Sequence, residues 1–172
     1  EEVIRRRYNI APSQTILAVR KEPGSEARVI VPMRWGFIPF WADDPAMGDR
    51  MINARAETAA EKPAFRHAFR RRRCLIPADG FYEWRKVDGG KQPYCIRMCD
   101  ENLFVFAGLW ERWEKGDEPI ESCTILTTTP NELLKPIHDR MPVILDEKDH
   151  EMWLDPDYKD IQKIVSVLKP YP

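Results

Sequence analysis

Apolar residues along this chain gather in short runs bounded by turn residues, the mark of strands. Thr15 to Val19 is an apolar strand candidate and Ala27 to Met33 reads as a second strand, with a turn between them built on Pro23-Gly24. An apolar segment from Cys74 runs to a turn at Asp79-Gly80 and on into Phe81 to Trp84. Val87-Asp88-Gly89-Gly90 predicts a hairpin turn into Pro93 to Met98. Asn102 to Trp110 alternates strongly enough for a central strand, and Ser122 to Thr128 predicts another. Helical periods are shorter. Pro63 to Arg72 places Phe65, Ala68 and Phe69 on one side, after a Thr58-Ala59-Ala60-Glu61 capping box. Pro130 to Leu134 reads as a helical turn and Asp146 to Leu154 as a capped helix. Tyr158, Ile161, Ile164, Val165 and Leu168 mark an amphipathic last helix. Strands with a few short helices between them predict an α+β fold, antiparallel β-sheets forming a barrel-like core with short flanking helices.

Two stretches break this regularity. Arg34 to Trp41 holds two Trp, two Phe and the breakers Gly36 and Pro39, which suits a loop with exposed rings able to stack on unpaired bases. Trp35 and Trp41 as ordinary core residues is the competing expectation. The second stretch runs from Arg70-Arg71-Arg72-Arg73 to Phe81-Tyr82-Glu83-Trp84. In an extended chain Phe81 and Glu83 share one face, Tyr82 and Trp84 the other. A carboxylate held among rings loses hydration and becomes suited to proton transfer near neutral pH. Ordinary amphipathic patterning, with Tyr82 and Trp84 inward and Glu83 in water, is the alternative.

At 172 residues and 43% hydrophobic content the chain fits one domain, 1–172. No apolar run approaches the roughly 20 residues a membrane helix needs, so no membrane partner is expected. The net charge of −1 hides an asymmetry: residues 1–86 carry 17 Lys and Arg against 11 acids, residues 87–172 carry 10 against 17. Arg dominates the basic half and suits bidentate phosphate contacts, pointing to a polyanion such as nucleic acid; scattered surface charge would look the same by composition. Cys74, Cys95, Cys99 and Cys123 form no CxxC pair and, with three His, no zinc spacing; they are expected to be reduced core thiols of an intracellular protein. Nothing in the sequence calls for a metal or an organic cofactor.

Three polar groups sit in breaker-bounded or aromatic surroundings: Asn53 with Arg55, Glu83 with Trp84, and His138 with Arg140. Asn53 and Arg55 point the same way if extended, and a His near a carboxylate can shuttle protons. A convincing nucleophile is missing, since there is no GxSxG serine or glycine-rich phosphate loop and the thiols lie in apolar strands.

Five blocks, in order, resemble the SRAP domain family of abasic-site-processing proteins (SOS response-associated peptidases): Tyr8-Asn9-Ile10-Ala11-Pro12, Arg34-Trp35-Gly36, Ile52 to Thr58, Cys74 to Trp84, and His138-Asp139-Arg140-Met141-Pro142. The resemblance implies an enzyme of the DNA damage response that crosslinks itself to abasic sites in single-stranded DNA, with lyase-like and autopeptidase-like activity. In that family an N-terminal cysteine, exposed when the initiator Met is removed, closes a thiazolidine on the opened sugar. It further implies catalytic roles for Asn53, Glu83 and His138, and DNA contacts for Arg55, Trp84, Trp41, Thr127 and Arg140. Such a protein would be a monomer, cytoplasmic and nucleoid-associated in a bacterium or nuclear in a eukaryote. The chain opens at Glu1 rather than Met-Cys-Gly-Arg and ends at Pro172, so the cysteine segment and a last strand are expected beyond its ends. An autoproteolytic peptidase and a non-catalytic reader of single-stranded or modified DNA are the alternatives.

Overall fold

A computed structural model describes residues 7–22 and 24–172. Pro23 of the expected turn, and Arg5 and Arg6 among the arginines of the basic half, lie outside the described residues. In chain order the strands are β1 (Thr15–Lys21), β2 (Arg28–Trp35), β3 (Asn53–Arg55), β4 (Arg73–Ala78), β5 (Phe81–Val87), β6 (Gly90–Ile96), β7 (Phe104–Trp113), β8 (Ile120–Thr128) and β9 (Met141–Pro142). The helices are α1 (Ala56–Ala59), α2 (Arg66–Arg71), α3 (His150–Leu154) and α4 (Ile161–Ser166).

Five of these strands close the barrel. β1 pairs with β2 and β4, β4 with β7, and β7 with β8, all antiparallel. β2 completes the ring against β8 in parallel, at Arg34–Ser122 and Trp35–Cys123. A parallel contact is forced by parity, because each antiparallel pairing reverses direction and a ring of five cannot close after five reversals. The α+β class and barrel-like core expected from the sequence are therefore what the chain forms.

β4, β7 and β8 are buried on both faces, which is why they read as near-continuous apolar runs. Cys74, Ile76, Phe106 and Ile125 face the barrel interior with Ile16 and Met33. Leu75, Leu109 and Leu126 face outward, against Phe69, Trp153, Ile164 and Leu168 of the flanking helices. Trp153 is fully buried and its indole Nε1 donates to Cys74 O at 2.9 Å. Truncating it to Ala would remove about 3–5 kcal/mol of stability.

Local departures from the sequence expectations have simple causes. β3 runs straight into α1, so Thr58 lies within that helix and forms no capping box; its buried Oγ1 has no partner among the described residues. α2 begins at Arg66 instead of Pro63, after a turn in which Lys62 O accepts from Phe65 and Arg66 N–H. Of the four thiols, Cys74 and Cys123 are buried core groups, whereas Cys95 and Cys99 are exposed. That corrects the expectation of four core thiols: β6 packs little against the barrel, so its apolar pattern buries little.

The Arg70–Arg73 block is split by the fold. Arg70 and Arg71 are exposed on α2. Arg72 pairs with the buried carboxylate of Glu111 and lies over Trp110, which Arg20 also covers at 4.0 Å. Arg73 is buried and donates to Trp153 O at 2.6 Å, Phe69 O at 2.8 Å, Arg70 O at 2.7 Å and Asp155 O. Half of the block is thus fixed in structural contacts.

Candidate active site and nucleic-acid interface

The site forms where the barrel opens at the end of β8. Past the Gly108–Ile125 pair β7 leaves β8, and the segment containing β9 wedges between them. Val143 N–H donates to Leu126 O at 2.8 Å and Ala107 N–H to Val143 O at 2.9 Å. On the other edge of β8, β3 takes over from β2 in parallel, with Asn53 beside Ile125 and Arg55 beside Thr127. Thr127 is therefore flanked by Arg55 on one side and Pro142 on the other. Ala54 is buried while Asn53 and Arg55 are exposed, so the amide and the guanidinium do project together.

Arg140 locks this junction. Its Nη1 and Nη2 donate to the two carboxylate oxygens of Glu57 at 2.8 and 2.7 Å, and Nη2 also donates to Thr127 O at 2.5 Å. The bond from Arg140 holds the Glu57 carboxyl below its ordinary value despite partial desolvation, and Arg55 adds to the lowering.

Glu83 lies close enough to His138 for the two charges to interact. Phe81 packs edge-on to Phe104 and Phe106 at 6.4 and 5.8 Å, turning that face of β5 inward. Glu83, two residues on, is half-buried, and Tyr82 and Trp84 are exposed at 41% and 49% with ring centroids 6.4 Å apart. This is the arrangement in which the carboxylate, not the rings, is drawn from water. Lost hydration raises the Glu83 carboxyl above its ordinary value; His138 and a backbone hydrogen bond from Trp84 pull it down, and Asp139 pushes it up. His138 Nδ1 lies 3.0 Å from Arg140 N, 3.2 Å from Arg140 O and 3.3 Å from Asp139 Oδ1, so it accepts from the first or donates to the others according to its tautomer. The cysteines of the core are unsuited to nucleophilic work: burial pushes Cys74 well up and Cys123 to about 12.

The fold thus gathers Asn53, Arg55, Thr127 and Arg140 at one junction and brings Glu83 within the electrostatic reach of His138, which shares a turn with Arg140. Trp41 is elsewhere. Lys115, beyond the far end of β7, donates to Trp41 O at 2.7 Å, so Trp41 lies about 20 Å along β8 from Thr127. It is exposed, as is Phe40, whose ring stands 5.8 Å from His67, whereas Phe37 and Ile38 of the same segment are core. The loop of exposed rings expected over Arg34 to Trp41 is therefore half right. Glu57 and Tyr82 carried no role in the sequence reading. Glu57 lies two residues past Arg55, a spacing that hinted at it, but its partner is 83 residues away. Concavities of about 400 Å³ lie on the other side of Met141, lined by Phe81, Met98, Phe104, Leu133 and Ile144, and none of the site residues lines them. No cluster of three or more metal-ligating side chains occurs among the described residues. No described helix is long and apolar enough to cross a membrane.

Residues 1–172 match the family described as SOS response associated peptidase (SRAP). The chain belongs to the SRAP family. Among SRAP relatives it is 50% identical over 166 residues to the abasic site processing protein YoqW of Bacillus subtilis, covering 95% of this chain and 73% of that protein. It is 38% identical over 162 residues to the abasic site processing protein HMCES of Gallus gallus, covering 80% of this chain and 48% of that protein. The SRAP fold superposes on a crystal structure of a protein from Bacteroides thetaiotaomicron with a TM-score of 0.83, at 34% identity over 93% of this chain and 70% of that one. A protein from Bordetella bronchiseptica gives 0.81 at 30% identity, over 95% and 82%.

Proposed function

We propose that this SRAP protein processes abasic sites in single-stranded DNA by forming a covalent crosslink to the opened sugar. The nucleophile in this reading is a cysteine at the mature N-terminus, outside the 172 residues of this chain. Its α-amine, with an ordinary pKa near 8, adds to the sugar aldehyde and loses one water to give an imine. The thiol then adds across the C=N bond, sulfur to carbon and proton to nitrogen, closing a thiazolidine with no oxidant or reductant.

Chemistry of this kind needs a group that is protonated when hydroxide must leave and unprotonated when the amine attacks. The half-buried Glu83 carboxyl, drawn from water on the face of β5 that Phe81 turns inward and near enough to His138 to feel its charge, is the observation that carries the proposal. His138, whose ring can hold its proton on either nitrogen, moves protons during ring opening. Asn53 hydrogen-bonds the linkage. Arg55, Arg140 and Thr127 hold the backbone beside the lesion, Trp84 stacks on a base, and Trp41 contacts the strand further along. The names of the relatives, abasic site processing proteins, support the substrate class.

Full-length protein incubated with single-stranded DNA carrying an abasic site should yield an adduct that survives a denaturing gel. DNA held in native gels with no adduct under any condition would reduce the protein to a reader and overturn the proposal.

A further inference from the structure

The β5–β6 hairpin carries more than Glu83. Its two strands form a separate two-stranded sheet, joined by a two-residue turn at Asp88-Gly89 with Gly89 in the left-handed region at φ +84°. Beyond Trp84 every residue from Arg85 to Pro93 is exposed, so this end of the hairpin packs on none of the described residues. Residues directly opposite in an antiparallel pair share a face. The register sets Tyr82 against Cys95, Trp84 against Pro93 and Lys86 against Lys91. One face therefore presents, in order from the base, Cys95 opposite the ring of Tyr82, the ring of Trp84 opposite Pro93, and a pair of ammonium groups.

The lysine pair is the unexpected part. Like charges directly across a strand pair, with Cβ atoms about 5 Å apart, destabilise it. Among the described residues neither lysine is within ion-pair distance of a carboxylate. From Arg85 to Arg97 the hairpin carries four cations against one carboxylate. By contrast the junction around Thr127 is nearly balanced, since Arg140 is already bound to Glu57 and Asp139 lies beside His138. Rings flanked by unneutralised cations on one exposed strip match what single-stranded nucleic acid needs, bases on the rings and phosphates on the charges.

We infer that the outer face of the β5–β6 hairpin is a track for single-stranded DNA leading away from the processing site, with Lys86 and Lys91 as a two-phosphate clamp at its tip. The inference rests on the proposed DNA substrate, and it adds where the strand runs once past Trp84. Among the described residues the tip has no partner, so its role is electrostatic and its loss shows in salt dependence.

Binding of a fluorescein-labelled, unmodified single-stranded oligonucleotide to the full-length protein is measured by anisotropy over a series of salt concentrations. Removing both ammonium groups, K86S with K91S, should flatten the slope of log K against log salt by about 1.4, two contacts at roughly 0.7 each. The single variant K86E places opposite charges across the pair, so it should melt no lower than wild type and yet bind DNA several-fold more weakly. A slope unchanged in the double variant, or K86E binding as tightly as wild type, overturns the inference. Adduct formation by the wild-type protein on an abasic strand is scored separately. Adduct with an unchanged slope sinks the track alone, and a flattened slope without adduct sinks the processing chemistry alone.

Discussion

Arg140 and Glu57 meet fork to fork, with both terminal guanidinium nitrogens donating to both carboxylate oxygens at 2.8 and 2.7 Å. The pair ties α1, which follows β3, to the turn before β9 across the edge of β8, so it fixes the spacing of Asn53 and Arg55 relative to His138. Bidentate geometry and partial burial make it stronger than an ordinary surface ion pair.

Glu57→Gln should destabilise the protein at pH 7 by about 1 kcal/mol, or roughly 2–4 °C in Tm. The folded-state value of Glu57 is depressed, so its stabilisation is fully present above the ordinary Glu value of 4.5 and disappears as the pH falls through the lowered one. Melting curves of the two proteins should therefore converge in acid. A gap that stays constant with pH would mean the pair contributes through shape and not charge.

Glu83→Gln should do the opposite. Desolvation raises the Glu83 value, so the neutral acid suits the fold and ionisation opposes it. The contribution is present below 4.5 and lost as the pH rises through the raised value, so at pH 7 the variant, neutral throughout, should be the more stable by about 0.5 kcal/mol after allowing for partial exposure. In acid the two should coincide. Adduct formation should fall by about 10²–10⁴. An inactive variant that is also less stable at pH 7 would show that Glu83 is held by structure and not poised for proton transfer.

Much of this architecture is legible in the sequence because its strands are short apolar runs bounded by turn residues. The hairpin turn at Asp88-Gly89 and the strands from Phe104 and Ile120 are cases where local chemistry and tertiary need coincide. The parallel closure of β2 on β8 and the wedge of β9 leave no such trace, being consequences of ring closure. Asn53 with Arg55 was legible through spacing alone. The Arg140–Glu57 pair was not, since it joins residues distant in the chain. The Arg70–Arg73 block misled for the converse reason: composition counts guanidinium groups but not the carbonyls that Arg73 satisfies.

That distinction can be measured. Arg73→Met should lower stability by about 3 kcal/mol or more, because several buried carbonyls lose a charged donor together. Arg73→Lys should recover only part of it, as an ammonium cannot reproduce the planar fork. Urea unfolding gives both values. Salt dependence of DNA binding by the folded fraction should match wild type, and a flattened slope would return Arg73 to the DNA-contacting set.

Arg55 and Trp84 are both exposed beside the site, but they should weaken DNA binding by different physics. Arg55→Ala removes one phosphate contact and should flatten the salt slope by roughly 0.7. Trp84→Ala removes a stacking surface worth about 1–3 kcal/mol per base, tenfold or more in affinity, and should leave the slope where it was. Anisotropy titrations at several salt concentrations separate the two. If Trp84→Ala flattened the slope as much as Arg55→Ala does, the ring would be positioning charges and not carrying a base. If neither variant weakened binding, the strand would have to pass over a different face of the barrel.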